Sequence, residues 1–236
     1  MPKVIVGKGL NWRFADWKLM PIYEKISSIA TKFPNKIAIV YEGRKISYSE
    51  FAEGINGFIE YFLRLEVAKG DRISWLGLNH YKAIEIFFAC AGLGAIFVPI
   101  NWRLSNWEIK KVLINCEPKL VFYADQKFST ELDYDPSIFV DALAEDLWCD
   151  SKKNHNHQID ADLKSEVLIS YTSGSTGEPK GVVINQETIL SNANMSVEAH
   201  SLNKDDVVLN VLPIFHVGGL NILVPPALLL GATVLL

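Results

Sequence analysis

Val167-Leu168-Ile169-Ser170-Tyr171-Thr172-Ser173-Gly174-Ser175-Thr176-Gly177-Glu178-Pro179-Lys180-Gly181-Val182-Val183-Ile184 decides how this chain is read. Val167 to Ser170 and Val182 to Ile184 are strand-like runs, so a polar turn is held between two strands. The turn carries four Ser/Thr hydroxyls (Thr172, Ser173, Ser175, Thr176), three glycines (Gly174, Gly177, Gly181) and Lys180. Glycine lets the backbone take positive φ and approach a ligand, so that N–H groups can point at anionic oxygens. The hydroxyls add neutral donors, Lys180 adds a mobile charge suited to phosphate, and Pro179 stiffens the approach to it. A Walker loop would need Gly where Pro179 stands, and no G-x-G-x-x-G occurs in the chain. Residue types alone leave two readings: a phosphate-gripping loop, or a flexible polar hairpin.

Upstream, strand and helix signals alternate. Val4-Ile5-Val6 is strand-like, Tyr23 to Thr31 fits a short helix, and Ile37 to Val40 with Lys45 to Ser47 reads as a hairpin turning at Glu42-Gly43. Ser47 and Glu50 form a capping-box pattern, followed by Phe51, Ile55, Phe58, Ile59 and Phe62 at helical spacing. After Gly70, Arg72 to Leu76 reads as a buried strand. The spacing then predicts a helix over 81–91 and a strand at Ala95 to Val98. A second capping box at Ser105 and Glu108 starts a helix that stops before Pro118. Leu120 to Tyr123 and Ile138 to Val140 read as strands. This alternation predicts an α/β layer with parallel pairing.

The polar stretch 152–158 is a surface loop or a sub-domain joint near 151–160. Its His155 and His157 have no carboxylate or cysteine cluster beside them, so a metal site is not adopted. The end, Leu228 to Leu236, reads as helix end, turn and core strand. A strand left unpaired there would be a sticky edge, which predicts both a truncated domain and self-association.

The 236 residues are 49% hydrophobic and 21% charged, an ordinary globular balance. A net charge of −4 gives no overall reason to bind nucleic acid. Cys90, Cys116 and Cys149 form no CxxC pair, and are read as reduced, buried thiols of a cytoplasmic protein. Met1 to Phe14 lacks the apolar run of a secretion signal. Ala83 to Ile100 is broken by Glu85, Gly92, Gly94 and Pro99, and Leu220 to Leu236 by Pro225-Pro226, so neither is read as a membrane span.

Thr172 to Gly181 resembles, nearly letter for letter, the signature loop of the adenylate-forming superfamily, which holds acyl-CoA synthetases, peptide-synthetase adenylation domains and luciferases. Ile46 to Phe51, Gly92 to Asn101 and Leu212 to Gly219 resemble further motifs of that superfamily, in the expected order. Gln186 departs from the histidine that many members place there. The resemblance, from about residue 20 onward, implies the fold class: α/β, layered mixed sheets with helices, the first part of a large N-terminal domain spanning 1–236. It implies activation of a carboxylate by ATP to an acyl-adenylate, then transfer to a thiol, usually coenzyme A. By resemblance, Thr172, Ser173, Gly174, Ser175, Thr176, Gly177 and Lys180 hold the triphosphate and pyrophosphate. Thr176 or Thr172 helps to hold Mg²⁺. His216, on residue type alone a packed loop histidine, becomes a catalytic candidate at the acyl end, and Lys180 is the other catalytic candidate, at the phosphates. The form L-P-x-F-H resembles fatty-acyl, aryl and succinylbenzoate ligases more than acetate ligases; a fatty acid is the expected carboxylate.

Members of the superfamily continue further. The Tyr-Gly-x-Thr-Glu segment, the ribose-binding Asp, the hinge and the C-terminal lysine of the small domain are absent from these residues. The chain alone is therefore expected to be inactive. Three classes stay open: a portion of an acyl-CoA synthetase, one subunit of a split ligase whose other chain supplies the C-terminal motifs, and a non-catalytic protein that self-associates. A homo-oligomer is compatible with each.

Overall fold

A computed structural model describes residues 20–124, 137–139, 161–172 and 179–236. Strand-like Val4 to Val6, the 151–160 joint, His155, His157 and Cys149 lie outside the described residues.

Two sheets result. The first has the order β2-β1-β10-β9, with β1 Ile37–Tyr41, β2 Arg44–Ser47, β9 Val207–Leu209 and β10 Thr233–Leu235. The second has the order β6-β5-β3-β4-β7-β8, from β3 Arg72–Leu76, β4 Ile96–Ile100, β5 Leu120–Tyr123, β6 Ser137–Phe139, β7 Glu166–Thr172 and β8 Lys180–Asn185. Pairing is parallel throughout except for the hairpins β1–β2 and β7–β8. The alternation read in the sequence is thus a mixed α/β fold.

Local chemistry sets the helices. Helix α1 is Ile22–Lys32, and α2, Tyr48–Arg64, begins at a closed capping box. Ser47 Oγ accepts from the Glu50 N–H at 3.2 Å, and the Glu50 carboxylate accepts from the Ser47 N–H at 2.7 Å. The periodic face of α2 buries Phe51, Ile55, Phe58, Ile59 and Phe62 completely. Each such side chain contributes about 1.5–3 kcal/mol by leaving water. Helix α3, Tyr81–Leu93, is largely apolar and buried along its length except at Lys82; it ends at Gly94, which takes φ +73°. Helix α4, Asn106–Cys116, starts at the second capping box and buries only Ile109, Val112, Leu113 and Cys116. Helix α5 is Gln186–Ala199 and α6 is Val217–Asn221. Pro225 and Pro226, read as breaking an apolar run, stand in the first turn of α7, Val224–Leu230.

The second sheet is covered on both faces, as a parallel sheet requires. Ile73, Trp75 and Phe97 face the main core with α2 and α3, whereas Leu76, Val98, Ile100 and Val121 face a second core under α4. Cys90 and Cys116 are free, buried thiols, as read from the sequence. Burial pushes the Cys116 thiol up to about 11 and Cys90 further.

One expectation is corrected. The apolar end was read as an unpaired strand, yet β10 lies inside its sheet, parallel to β1 on one side and β9 on the other. Val234 is fully buried, and among the described residues the edges of this sheet are β2 and β9.

Candidate functional site

The hairpin β7–β8 positions the hydroxyl-rich turn. Its register pairs Thr172 with Lys180 and Tyr171 with Gly181. The two described members of the candidate phosphate set therefore face each other at the mouth of the turn, both exposed. Ser173, Gly174, Ser175, Thr176 and Gly177 lie outside the described residues. Gly181 was read as a glycine for ligand approach. It is instead strand backbone without positive φ, and a Cβ there would stand 2.7 Å from Ile169 Cγ2 and 3.1 Å from Tyr171 Cζ. Its need is space for two neighbours. Tyr171 in turn donates its phenol to Asn115 Oδ1, tying the hairpin to α4.

The parallel strands β3, β4 and β7 end on the same side of the sheet. Helix α3 carries the chain from β3 to β4 over one face, and α4 carries it from β4 back past β3 to β5 over the other. The loops leaving β3 and β4 thus part in opposite directions. That divergence is the crevice where open α/β sheets hold ligands.

The Leu212-Pro213-Ile214-Phe215-His216 loop is seated against this crevice. Asn79, in the loop after β3, donates from Nδ2 to the Leu212 carbonyl at 2.9 Å and accepts the Ile214 N–H on Oδ1 at 2.9 Å. Arg103, in the loop after β4, places its guanidinium 5.2 Å from the Trp102 ring and 5.8 Å from the Phe215 ring. Gly219 lets α6 close onto the loop, because a Cβ would fall 2.0 Å from the Pro213 carbonyl oxygen. His216 caps α6: its Nδ1 accepts the Gly218 N–H at 3.0 Å. In the neutral ring the proton is therefore on Nε2, on an exposed side chain that can donate outward.

Asn79 and Arg103 were not singled out from the sequence. Their signal was position alone, each within a few residues of the C-terminal end of a central parallel strand. Between α5 and α6, Asn192 Nδ2 donates to the Asn221 carbonyl at 2.8 Å. The buried atoms Asn221 Oδ1 and Asn194 Nδ2 have no hydrogen-bond partner among the described residues. Among the described residues no group of three His, Cys, Asp or Glu side chains could hold a metal, and no helix is long and apolar enough to cross a membrane.

Residues 26–236 match the family described as AMP-binding enzyme. The chain belongs to that family. It is 35% identical over 234 residues to the indoleacetate–CoA ligase of Aromatoleum aromaticum, covering 92% of this chain and 45% of the relative. It is 30% identical over 204 residues to a feruloyl-CoA synthase of Amycolatopsis, covering 86% of this chain and 41% of the relative. This AMP-binding chain thus spans less than half the length of these curated relatives. Among solved structures, the inhibitor-bound N-terminal domain of FACL13 from Mycobacterium tuberculosis superposes with a TM-score of 0.81 at 28% identity, covering 92% of this chain and 57% of that one. VinN superposes with a TM-score of 0.86 at 22% identity, covering 92% of this chain and 56% of that one, which speaks for the fold alone.

Proposed function

We propose that residues 1–236 form the phosphate-loop portion of the N-terminal domain of an acyl-CoA ligase. A carboxylate is a poor electrophile because its leaving oxygen is too basic. ATP would supply an AMP leaving group by forming the acyl-adenylate, and coenzyme A would then take the acyl group. Thr172, Ser173, Gly174, Ser175, Thr176, Gly177 and Lys180 are the residues proposed to grip the triphosphate, with Thr176 as the proposed Mg²⁺ contact. The fit rests on the donor set: the hydroxyls donate hydrogen bonds to phosphate oxygens and the Lys180 ammonium offsets their charge, with Glu178 the one carboxylate of the turn. His216, with its outward Nε2–H, is proposed to orient the carboxylate, and Lys180 to neutralise phosphate charge as it develops.

The observation that carries this reading is the register of β7 and β8. It sets Thr172 opposite Lys180 across the mouth of the turn, at the hairpin's end beside the strand-end crevice. The acyl group is proposed to be aromatic or fatty. The relatives' names, an indoleacetate ligase and a feruloyl synthase, add weight to an aromatic acid over the fatty acid expected from the L-P-x-F-H form. Adenylate formation is expected to need the portion that relatives carry beyond this length, whether in the same chain or a second one. A cytoplasmic location is part of the same proposal.

Calorimetric titration with Mg·ATP and with pyrophosphate tests the reading. Saturable binding that is lost in Lys180→Ala supports it. Equal binding by both chains would remove Lys180 from the site, and no binding by the folded wild type would mean that these residues alone do not hold phosphate.

A further inference from the structure

Helix α4 carries an outward row of side chains that the fold does not use. Its buried residues, Ile109, Val112, Leu113 and Cys116, turn into the second core. On the opposite side Trp107, Lys110, Lys111 and Ile114 follow at i, i+3, i+4 and i+7, which sets them in one row along the helix. Trp107 is 64% exposed and Ile114 73% exposed, both large apolar side chains left facing water. The Lys111 ammonium stands 4.0 Å from the centre of the Trp107 ring. The row thus alternates apolar tips with cations.

No acid stands in the row. Glu108 lies to one side, and its carboxylate is drawn back to the Ser105 N–H and hydroxyl at 2.8 and 2.7 Å. Glu117, just past the helix, has its carboxylate 4.0 Å from the Arg72 guanidinium. A chain of net charge −4 therefore presents a locally cationic, apolar ridge here. Charge decides between occupants. A second copy packed on this ridge across a twofold axis would set Lys110 and Lys111, at the centre of the row, against the same lysines. An acidic protein would need roughly 800 Å² of each partner for a stable interface, far more than one helix row offers. An anionic lipid surface asks less. Lysines reach its headgroups while Trp and Ile enter the layer just beneath, the depth at which Trp is favoured.

We infer that the outer row of α4 docks on an anionic membrane surface, with Lys110 and Lys111 at the lipid headgroups and Trp107 and Ile114 in the interfacial layer. The contact lies on the membrane and spans nothing. It also sets the hairpin β7–β8 beside the lipid surface, because Asn115 on the same helix accepts the Tyr171 phenol. This inference rests on the charge and exposure of α4, not on nucleotide binding by the turn. Failure of the Lys180 experiment would leave it untouched.

The test sediments the whole 236-residue chain with vesicles of phosphatidylcholine alone and of phosphatidylcholine with about 30% phosphatidylserine. The expected result is binding to the anionic vesicles and little to the neutral ones. Replacing both lysines, Lys110→Glu with Lys111→Glu, should weaken that binding at least about tenfold. Trp107→Ser should weaken it with the charge unchanged. Trp107→Phe should still bind, but lose most of the fluorescence quenching by lipids brominated in their acyl chains. These side chains lie on the surface, so circular dichroism should show the variants folded. No sedimentation of the folded wild type with anionic vesicles would overturn the inference. So would equal binding to both kinds of vesicle, binding that the substitutions leave unchanged, or quenching that Trp107→Phe keeps in full. Binding to soluble polyglutamate in place of vesicles would give the row to an acidic protein and overturn the membrane assignment.

Discussion

The phenol of Tyr48 donates to the carbonyl of Ala232 at 2.6 Å, joining residues 184 positions apart, and lies 3.1 Å from the carbonyl of Leu228. Tyr48 opens α2 and is fully buried, while Ala232 sits in the turn between α7 and β10. The bond thus fixes where the last described strand enters its sheet. Burial holds the phenol far above its ordinary range, so the donor proton is kept at every working pH. Tyr48→Phe leaves buried carbonyls short of a donor and should cost about 1–3 kcal/mol. Urea unfolding should show a lower midpoint with the slope unchanged.

Glu85 gives the stability a pH dependence. Its carboxyl is buried in α3 against Gly54 of α2, where a Cβ would lie 2.4 Å from Oε1. Burial pushes it up to about 8, against the pull of the Lys82 and Arg44 cations. The unfolded chain releases this proton near pH 4.3, roughly. Between those values the folded chain binds more protons, so this contribution is complete below the window and is lost as pH rises through it. Unfolding measured across that range should show the decline in the wild type and a flatter profile in Glu85→Gln. Gly54→Ala should cost about 1–3 kcal/mol by overpacking.

Gln186, which departs from the family's histidine, has a clear structural task. Fully buried, its Oε1 accepts the Ile22 N–H at 2.9 Å and its Nε2 donates to the Ala91 carbonyl at 2.8 Å, so one amide joins the start of α1 to α3. A neutral imidazole could also accept on one nitrogen and donate from the other; an imidazolium could only donate. Gln186→His should therefore hold its stability above about pH 6.5 and lose it as pH falls below, because the unfolded chain then binds the extra proton. The wild type should lack that step. Thermal melts at two pH values separate the outcomes.

Asn79→Ala removes both hydrogen bonds that seat the Leu212–His216 loop. The Ile214 amide, now without its acceptor, should exchange markedly faster while the α2 core amides keep their protection. Unchanged exchange at Ile214 would mean that the loop is held by Phe215, Arg103 and Gly219 without Asn79.

Much of the architecture was legible locally. The hairpin turning at Glu42-Gly43 and both capping boxes form where read, as do the turn at Gly231 and the strands on either side of the hydroxyl-rich turn. These depend on φ preferences, caps and periodicity within a few residues, so they are written in consecutive positions. Residue types alone left the turn with two readings; Thr172 and Lys180 were named with the family resemblance, and the β7–β8 register shows how they face each other. Gly181 was misjudged because a glycine kept for a neighbour's side chain looks the same in sequence as one kept for a ligand.

What the sequence determined by itself is the family, the types of donor in the turn, and the elements up to β8 with the closing helix, turn and strand; α5, α6 and β9 were not read from it. The tertiary structure alone decided that β10 is an interior strand and that β9, not β10, is an edge among the described residues. It also decided that Asn79 and Arg103 hold the His216 loop and that Gln186 bridges two helices. The physical reason is distance along the chain. Each of these outcomes depends on hydrogen bonds, ring contacts or strand pairing between residues far apart in sequence, and a local pattern carries no record of which remote group will meet it.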